Sequence, residues 1–233
     1  DAMLRRGRAE LGPEEIREAW LYHIEPGSYV WVSNNEARNL MGAPIYTLPP
    51  STSLLAANDQ SLMIDAQLTT EIFGALAPGM PERALILSDL PIRVTASGFA
   101  AHASQFYAAL YSLAAVAGPG QTAHQRILWM VETARSLIPD TSKTADVIDF
   151  VLQDYLDNPD VDDWERTRDA VAERYQVNDE ENGFKYLSYF ESSINLGTGL
   201  IALLYGQGDV RRTIQIGTLS GWDSDNGTAT MGG

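Results

Sequence analysis

The residues best suited to chemistry lie in one short C-terminal run, Gly221-Trp222-Asp223-Ser224-Asp225-Asn226-Gly227. Two carboxylates one residue apart, in a segment this apolar, are costly unless hydrogen bonds, a cation or a proton answer them. No Lys or Arg follows Arg212, so the sequence offers them no local ion pair. A hard divalent cation, which takes carboxylate oxygens and keeps several waters, is the natural partner. The pattern is not a calcium loop of the EF-hand type. That loop needs Gly at its sixth position and Glu at its twelfth, whereas Gly227 falls fifth and the twelfth lies past Gly233. A strand-borne Asp-x-Asp of a nucleotide-binding α/β frame is equally out of place, because this chain lacks such a frame. A plain polar turn of Asp, Ser, Asn and Gly is the competing reading.

Asp223 and Asp225 are the expected metal ligands and catalytic acids, with the Asn226 amide oxygen as a third ligand. Residues two apart diverge on a regular helix or strand, so both acids reach one ion only from a bend, which Gly221 and Gly227 permit. Asp162-Asp163 is the sole Asp-Asp pair and reads as the acidic start of a helix beside Trp164.

The elements that must position these acids read as helices. Pro13 to Ile24 opens with Pro in a first turn, and Ser33-Asn34-Asn35-Glu36 carries a capping box for a helix to Met41. Gly42 to Asp59 reads as a long loop. Ile64 to Leu76 is expected as a helix, as is Pro81 to Leu90, broken at Pro91. Gly98 to Ala117 reads as a helix buried on most sides. Thr122–Ile138, Ser142–Leu156 and Val161–Tyr175 are amphipathic, and Ser192–Tyr205 and Asp209–Leu219 complete the set. Strand-like alternation is confined to Tyr29-Val30-Trp31-Val32, too short for a sheet. The expected class is therefore all-α.

With 233 residues, 45% hydrophobic and 20% charged, the chain has length for a large core. A net charge of −15, from 16 basic and 31 acidic residues, argues against a nucleic-acid surface, since only Arg5, Arg6 and Arg8 cluster. No apolar run approaches a membrane span. There is no cysteine, which excludes disulfides and thiolate sites, and with no secretory signal in the chain the expected compartment is the cytoplasm.

The order Gly197-Thr198-Gly199 to Leu204-Tyr205-Gly206, then Thr213 to Thr218, then Gly221-Trp222-Asp223-Ser224-Asp225 resembles the ADP-ribosylglycohydrolase family. Weaker matches in the same order are Ile64-Asp65-Ala66-Gln67, Gly74 to Pro81, Ala101 to Leu110 and Asp163 to Tyr175, which fit a large-protein branch. The resemblance covers the chain from about Trp20 onward. It implies a single domain over 1–233, a compact multi-helix orthogonal bundle, and two Mg²⁺ or Mn²⁺ ions. It implies a hydrolase cleaving an N- or O-glycosidic bond at the ribose of an ADP-ribosyl substrate or a small ribosyl metabolite. A non-catalytic ADP-ribose-binding or structural protein on the same scaffold is the alternative.

By order, Asp65 and Gln67 fall where the family approaches the scissile ribose, and a helical Glu71 shares their side. His102 and Asn195 are further substrate-side candidates, with a core histidine and an inter-helix hydrogen bond as their structural readings. Glu191 beside Asn195 is read in the same two ways. His23 and His124 read as structural, Trp222 as core, and Gly197 and Gly199 as sites of close helix packing. Two departures stand out. Asn226 replaces the family's Thr or Ser, and no Thr/Ser-Asp-Asp triplet occurs. That triplet is expected upstream of Asp1, and the last helix is expected to continue past Gly233.

Overall fold

From Ser192 to Gly206 the chain carries no charged side chain, and every residue of that helix except Leu203 is buried. A helix apolar on all sides has to be surrounded, and the others are arranged around it. The structure, a computed structural model, describes residues 2–8, 10–25, 27, 30–46, 48–49, 58–116 and 120–233, the side chains of Ala2 and Leu4 excepted. In chain order the helices are α1 (Ala2–Arg6), α2 (Pro13–His23), α3 (Val32–Gly42), a 3₁₀ turn (Ile64–Ala66), α4 (Ile72–Ala75), α5 (Pro81–Ile92), α6 (Gly98–Ala114), α7 (Ala123–Arg135), α8 (Lys143–Asp157) and α9 (Trp164–Ala172). The last continues into a π-helical turn (Glu173–Val177), and α10 (Ser192–Gly206), α11 (Val210–Leu219) and α12 (Ser224–Gly232) complete the chain.

Among the described residues there is no strand, only an isolated antiparallel bridge between Met63 and Glu191. The all-α expectation holds. Tyr29, in the one strand-like stretch, and residues 47 and 50–57 of the long loop lie outside the described residues. No described helix is long and apolar enough to cross a membrane.

The central α10 touches α6, α7, α8, α9, α11 and α12. Phe106, Val131, Ile148, Tyr155, Val171, Leu200 and Tyr205 form the main core. The approach is close at the two glycines expected to pack helices. A Cβ on Gly199 would lie 2.8 Å from the Tyr107 hydroxyl, and one on Gly197 3.3 Å from Val171. A second cluster of Ile16, Ala37, Met41 and Val94 seats α2 and α3.

Helix starts reflect side-chain chemistry. Thr122 and Gln125 form a capping box on α7, Ser142 Oγ accepts the Thr144 N–H on α8, and Asp209 accepts the Arg212 N–H on α11.

Three local readings are corrected. The Ile64–Leu76 segment is a 3₁₀ turn, further turns and one short helix. Thr69 and Thr70 hydroxyls bond the Asp65 and Ala66 carbonyls, a local alternative to a continuous helix. Pro91 lies inside α5, which ends one residue later at Ile92; its ring removes the N–H that would bond the Leu87 carbonyl, so the helix runs only that one residue past the expected break. Ser33 caps nothing: α3 begins at Val32 after Trp31, and Ser33 is buried one position inside it.

Candidate functional site

Asp223 is the residue before α12 and Asp225 lies in that helix's first turn. Gly221 and Trp222 precede them with φ of +92° and +52°, two successive left-handed residues that turn the chain sharply out of α11. The bend therefore sits at residues 221–222. Gly227 does not contribute to it, since it is inside α12 and lies against Gly199 of α10.

The acids face a wall built by α10 and the Ile64–Ala66 turn. Asn195, fully buried, accepts the Asp223 N–H at 3.0 Å and donates to the Tyr189 and Glu191 carbonyls at 2.9 and 2.8 Å. The turn is fastened beside α10 by Ile64 N–H to the Phe190 carbonyl, Ser192 N–H to the Leu62 carbonyl, and Ser192 Oγ to Gln67 Oε1 at 2.9 Å. Asp65 thereby comes within electrostatic reach of Asp223.

Burial and the adjoining Asp225 carboxyl push the Asp223 pKa up to about 6, with Asp65 adding to the rise. Burial also raises Asp65, although the Asn34 N–H donates to its Oδ1 at 3.3 Å and the Ser33 hydroxyl stands close by. Several buried polar atoms here have no hydrogen-bond partner among the described residues: Asp65 Oδ2, Gln67 Nε2 and both amide atoms of Asn226. Asn226 is 2% exposed and Gln67 0%. Orphaned buried groups of this kind ask for a ligand, an ion or a water.

The expected residues divide into two groups. Asp223 adjoins Asp225 and has Asp65 within electrostatic reach, with Asn195 and Asn226 bonded to its backbone. Asn195 spends its amide on the protein, so its place is behind Asp223. Glu71 does not share Gln67's direction, because no continuous helix joins them. Its Oε1 instead accepts the Thr230 hydroxyl at 3.1 Å on α12, and burial raises its pKa. His102 Nδ1 pairs with Ser142 Oγ at 2.7 Å, and burial and Arg93 lower its pKa; its partners are not the acids.

Glu191 is a buried anchor, accepting Lys143 Nζ at 2.6 Å and the Leu187 N–H at 2.8 Å. His124 Nε2 meets the Tyr155 hydroxyl at 2.7 Å, and His23 stacks edge-on against Tyr22. Asp162 pairs with Arg212, and Asp163 accepts Asn158 Nδ2 at 2.8 Å. Trp222 packs only partly against the core and donates its indole N–H to Gln176 Oε1 at 2.8 Å. Sequence reasoning misses Ser33, Asn34 and Gln176 as neighbours of the acids. The first two fit a capping pattern instead, and Gln176 carries no local signal.

An all-oxygen set of carboxylates and an amide suits Mg²⁺ or Mn²⁺, which draw their remaining ligands from water or substrate. Among the described residues no three His, Cys, Asp or Glu side chains are grouped to hold a metal ion. Asp223, Asp225 and the Asn226 amide oxygen are the side-chain donors at this bend that could contribute to such a site. A cleft of about 470 Å³ between α2, α4 and α5 is lined by Leu11, Trp20, Phe73 and Leu90, and the acids do not line it.

The chain is an all-helical domain with an acid pair, Asp223 half-buried and Asp225 exposed, at the bend between its last two helices. The ADP-ribosylglycohydrolase family profile matches residues 1–233, and the chain belongs to that family. Among curated proteins and solved structures, none matches it.

Proposed function

We propose that the chain cleaves the bond at the anomeric carbon of an ADP-ribosyl or related ribosyl substrate, using a divalent cation held by Asp223, Asp225 and the Asn226 amide oxygen. The observation that carries this is a set of oxygen donors with atoms to spare: half-buried Asp223 beside the exposed Asp225, and the buried Asp65 Oδ2 and Asn226 Oδ1, which have no hydrogen-bond partner among the described residues. A bound Mg²⁺ or Mn²⁺ supplies a more acidic water and a template for ribose hydroxyls.

The chain's own groups do the rest. Without a cation, burial and Asp225 push the Asp223 pKa up to about 6; a bound cation would favour its carboxylate as a ligand. Asp65 Oδ2 accepts from a ribose hydroxyl, and Gln67 Nε2 donates to a ribose oxygen. Both are buried, so water competes weakly for them. Asn195 keeps Asp223 at a fixed distance from the Asp65 wall.

The test uses the whole chain with Mg²⁺ against ADP-ribosylated arginine, serine and small-molecule acceptors. Release of ADP-ribose, lost on chelation and in Asp225→Ala, supports the reading. Tight ADP-ribose binding without cleavage, in protein with cation bound, replaces it with the binding-protein reading.

A further inference from the structure

A bulky aromatic residue at φ +52° is unusual and needs outside support, and Trp222 holds that conformation immediately before Asp223. Its indole N–H donates to Gln176 Oε1 at 2.8 Å, 46 positions earlier, with the Tyr186 hydroxyl also in reach of the indole. Gln176 is on the π-helical turn at the end of α9. Such turns add a residue to the helical repeat, rotate the residues beyond them about the axis, and recur near functional sites.

The turn is braced independently of Trp222. Tyr175, 1% exposed, donates to Asp146 Oδ2 at 2.5 Å; Arg174 bonds the same carboxylate at 3.0 Å; and the Asn178 N–H closes an i+5 bond to Glu173 at 2.8 Å. Gln176 itself is exposed, with no burial of its own to explain its placement. On the other side, Asn195 grips the Asp223 N–H. The Trp222–Asp223 peptide is thus held between two amides, one on α10 and one on the π turn.

We infer that Gln176 is a positioning residue: through the Trp222 indole it fixes the left-handed turn that brings Asp223 and Asp225 onto one side. The inference rests on the proposed cation role of those acids only for its second readout. The residue touches neither acid, and it acts through another side chain in the way outer-shell groups orient metal ligands.

The experiment compares Gln176→Met, which keeps length without an acceptor, with Gln176→Glu, which restores the acceptor oxygen. Trp222→Phe removes the donor whichever neighbouring oxygen takes it. In metal-free protein, hydrogen exchange of the Asp223 amide reports whether the turn opens, with denaturation midpoints confirming that the fold persists. Gln176→Met and Trp222→Phe should each speed that exchange about tenfold and weaken Mn²⁺ binding about tenfold. The double variant should go no further than either single one, and Gln176→Glu should stay near the parent. Unchanged exchange in both single variants, or additive effects in the double variant, overturns the inference. An unchanged Mn²⁺ affinity in Asp225→Ala overturns the cation reading instead, and the exchange result still decides the role of Gln176.

Discussion

The Asn195 side-chain oxygen accepts the Asp223 backbone N–H at 3.0 Å, joining the buried helix α10 to the turn that carries Asp223 and Asp225. The same amide donates twice to carbonyls at the entrance to α10. One fully buried side chain therefore ties three segments, and the geometry of the acids depends on it.

Replacing Asn195 with Ala removes the partner of the Asp223 N–H and of the Tyr189 carbonyl and leaves the Glu191 carbonyl only the long 3.4 Å bond from the residue 195 N–H. Each orphaned group costs about 1–3 kcal/mol, with partial relaxation, so the expected loss of stability is about 2–4 kcal/mol. Urea denaturation at pH 7 measures it. A loss under about 0.5 kcal/mol, the level of an ordinary surface change, would mean that the Asp223 turn does not depend on this amide.

Two glycines on packed helices should respond differently to Ala. A Cβ on Gly74 would lie 2.2 Å from the Ala108 carbonyl oxygen, and backbone cannot swing aside. On Gly197 the nearest atoms are Val171 and Val147 methyls at 3.3 and 3.4 Å, which yield a little. Gly74→Ala should cost at least about 1–3 kcal/mol from overpacking. Gly197→Ala should stay within about 1 kcal/mol of the parent, its crowding offset by better helix propensity. Melting temperatures of equal size in the two variants would contradict the packing described for α4 on α6.

How much of the fold and site is legible in the sequence depends on how far apart the partners lie. The buried α10 is readable because apolar and small residues fill all sides of Ser192–Gly206, and the acid pair stands out for want of nearby cations. The Ile64–Leu76 segment misleads. Its apolar spacing at Leu68, Ile72 and Leu76 belongs to exposed side chains, while the polar Asp65, Gln67 and Thr70 are buried beside Ile64 and Ala66. Hydrogen bonding by those residues, not their hydropathy, sets the conformation. Ser33 satisfies a local capping rule yet goes to the Asp65 wall, because α3 packs on the Ile64–Ala66 turn. The links from Gln176 to Trp222 and from Asn195 to Asp223 span 46 and 28 positions and leave no periodic trace.

Glu71 gives a pH-dependent prediction. Burial raises its folded pKa, so the neutral acid is favoured in the native state. Its contribution to stability is present below the unfolded value near 4.3 and is lost as pH rises through the folded pKa. Glu71→Gln keeps the shape and an acceptor for Thr230 without the charge. The variant should melt higher than the parent at pH 7.5 and at the same temperature near pH 4. A variant less stable at pH 7.5 would show that the carboxylate is held by partners stronger than the Thr230 hydroxyl.

Asp223 gives the same sign with an added consequence. Its folded pKa of about 6, against an unfolded value near 3.9, means that native ionisation is disfavoured by burial and by Asp225. Stability from this group is present below about pH 4 and is lost progressively up to and beyond pH 6. In metal-free protein Asp223→Asn should therefore raise the melting temperature at pH 7.5 and leave it unchanged at pH 4. A cation that binds the ionised pair works in the opposite direction, because it favours the charged native form and stabilises by mass action. Mn²⁺ at pH 7.5 should raise the parent's melting temperature and narrow the gap to Asp223→Asn, and its effect should fade as pH falls through 6. Scanning calorimetry over pH 4–8 with and without Mn²⁺ reads both effects. A parent that gains nothing from Mn²⁺ at pH 7.5, while Asp223→Asn still gains over the metal-free parent, would mean that the acids repel one another with no cation to relieve them.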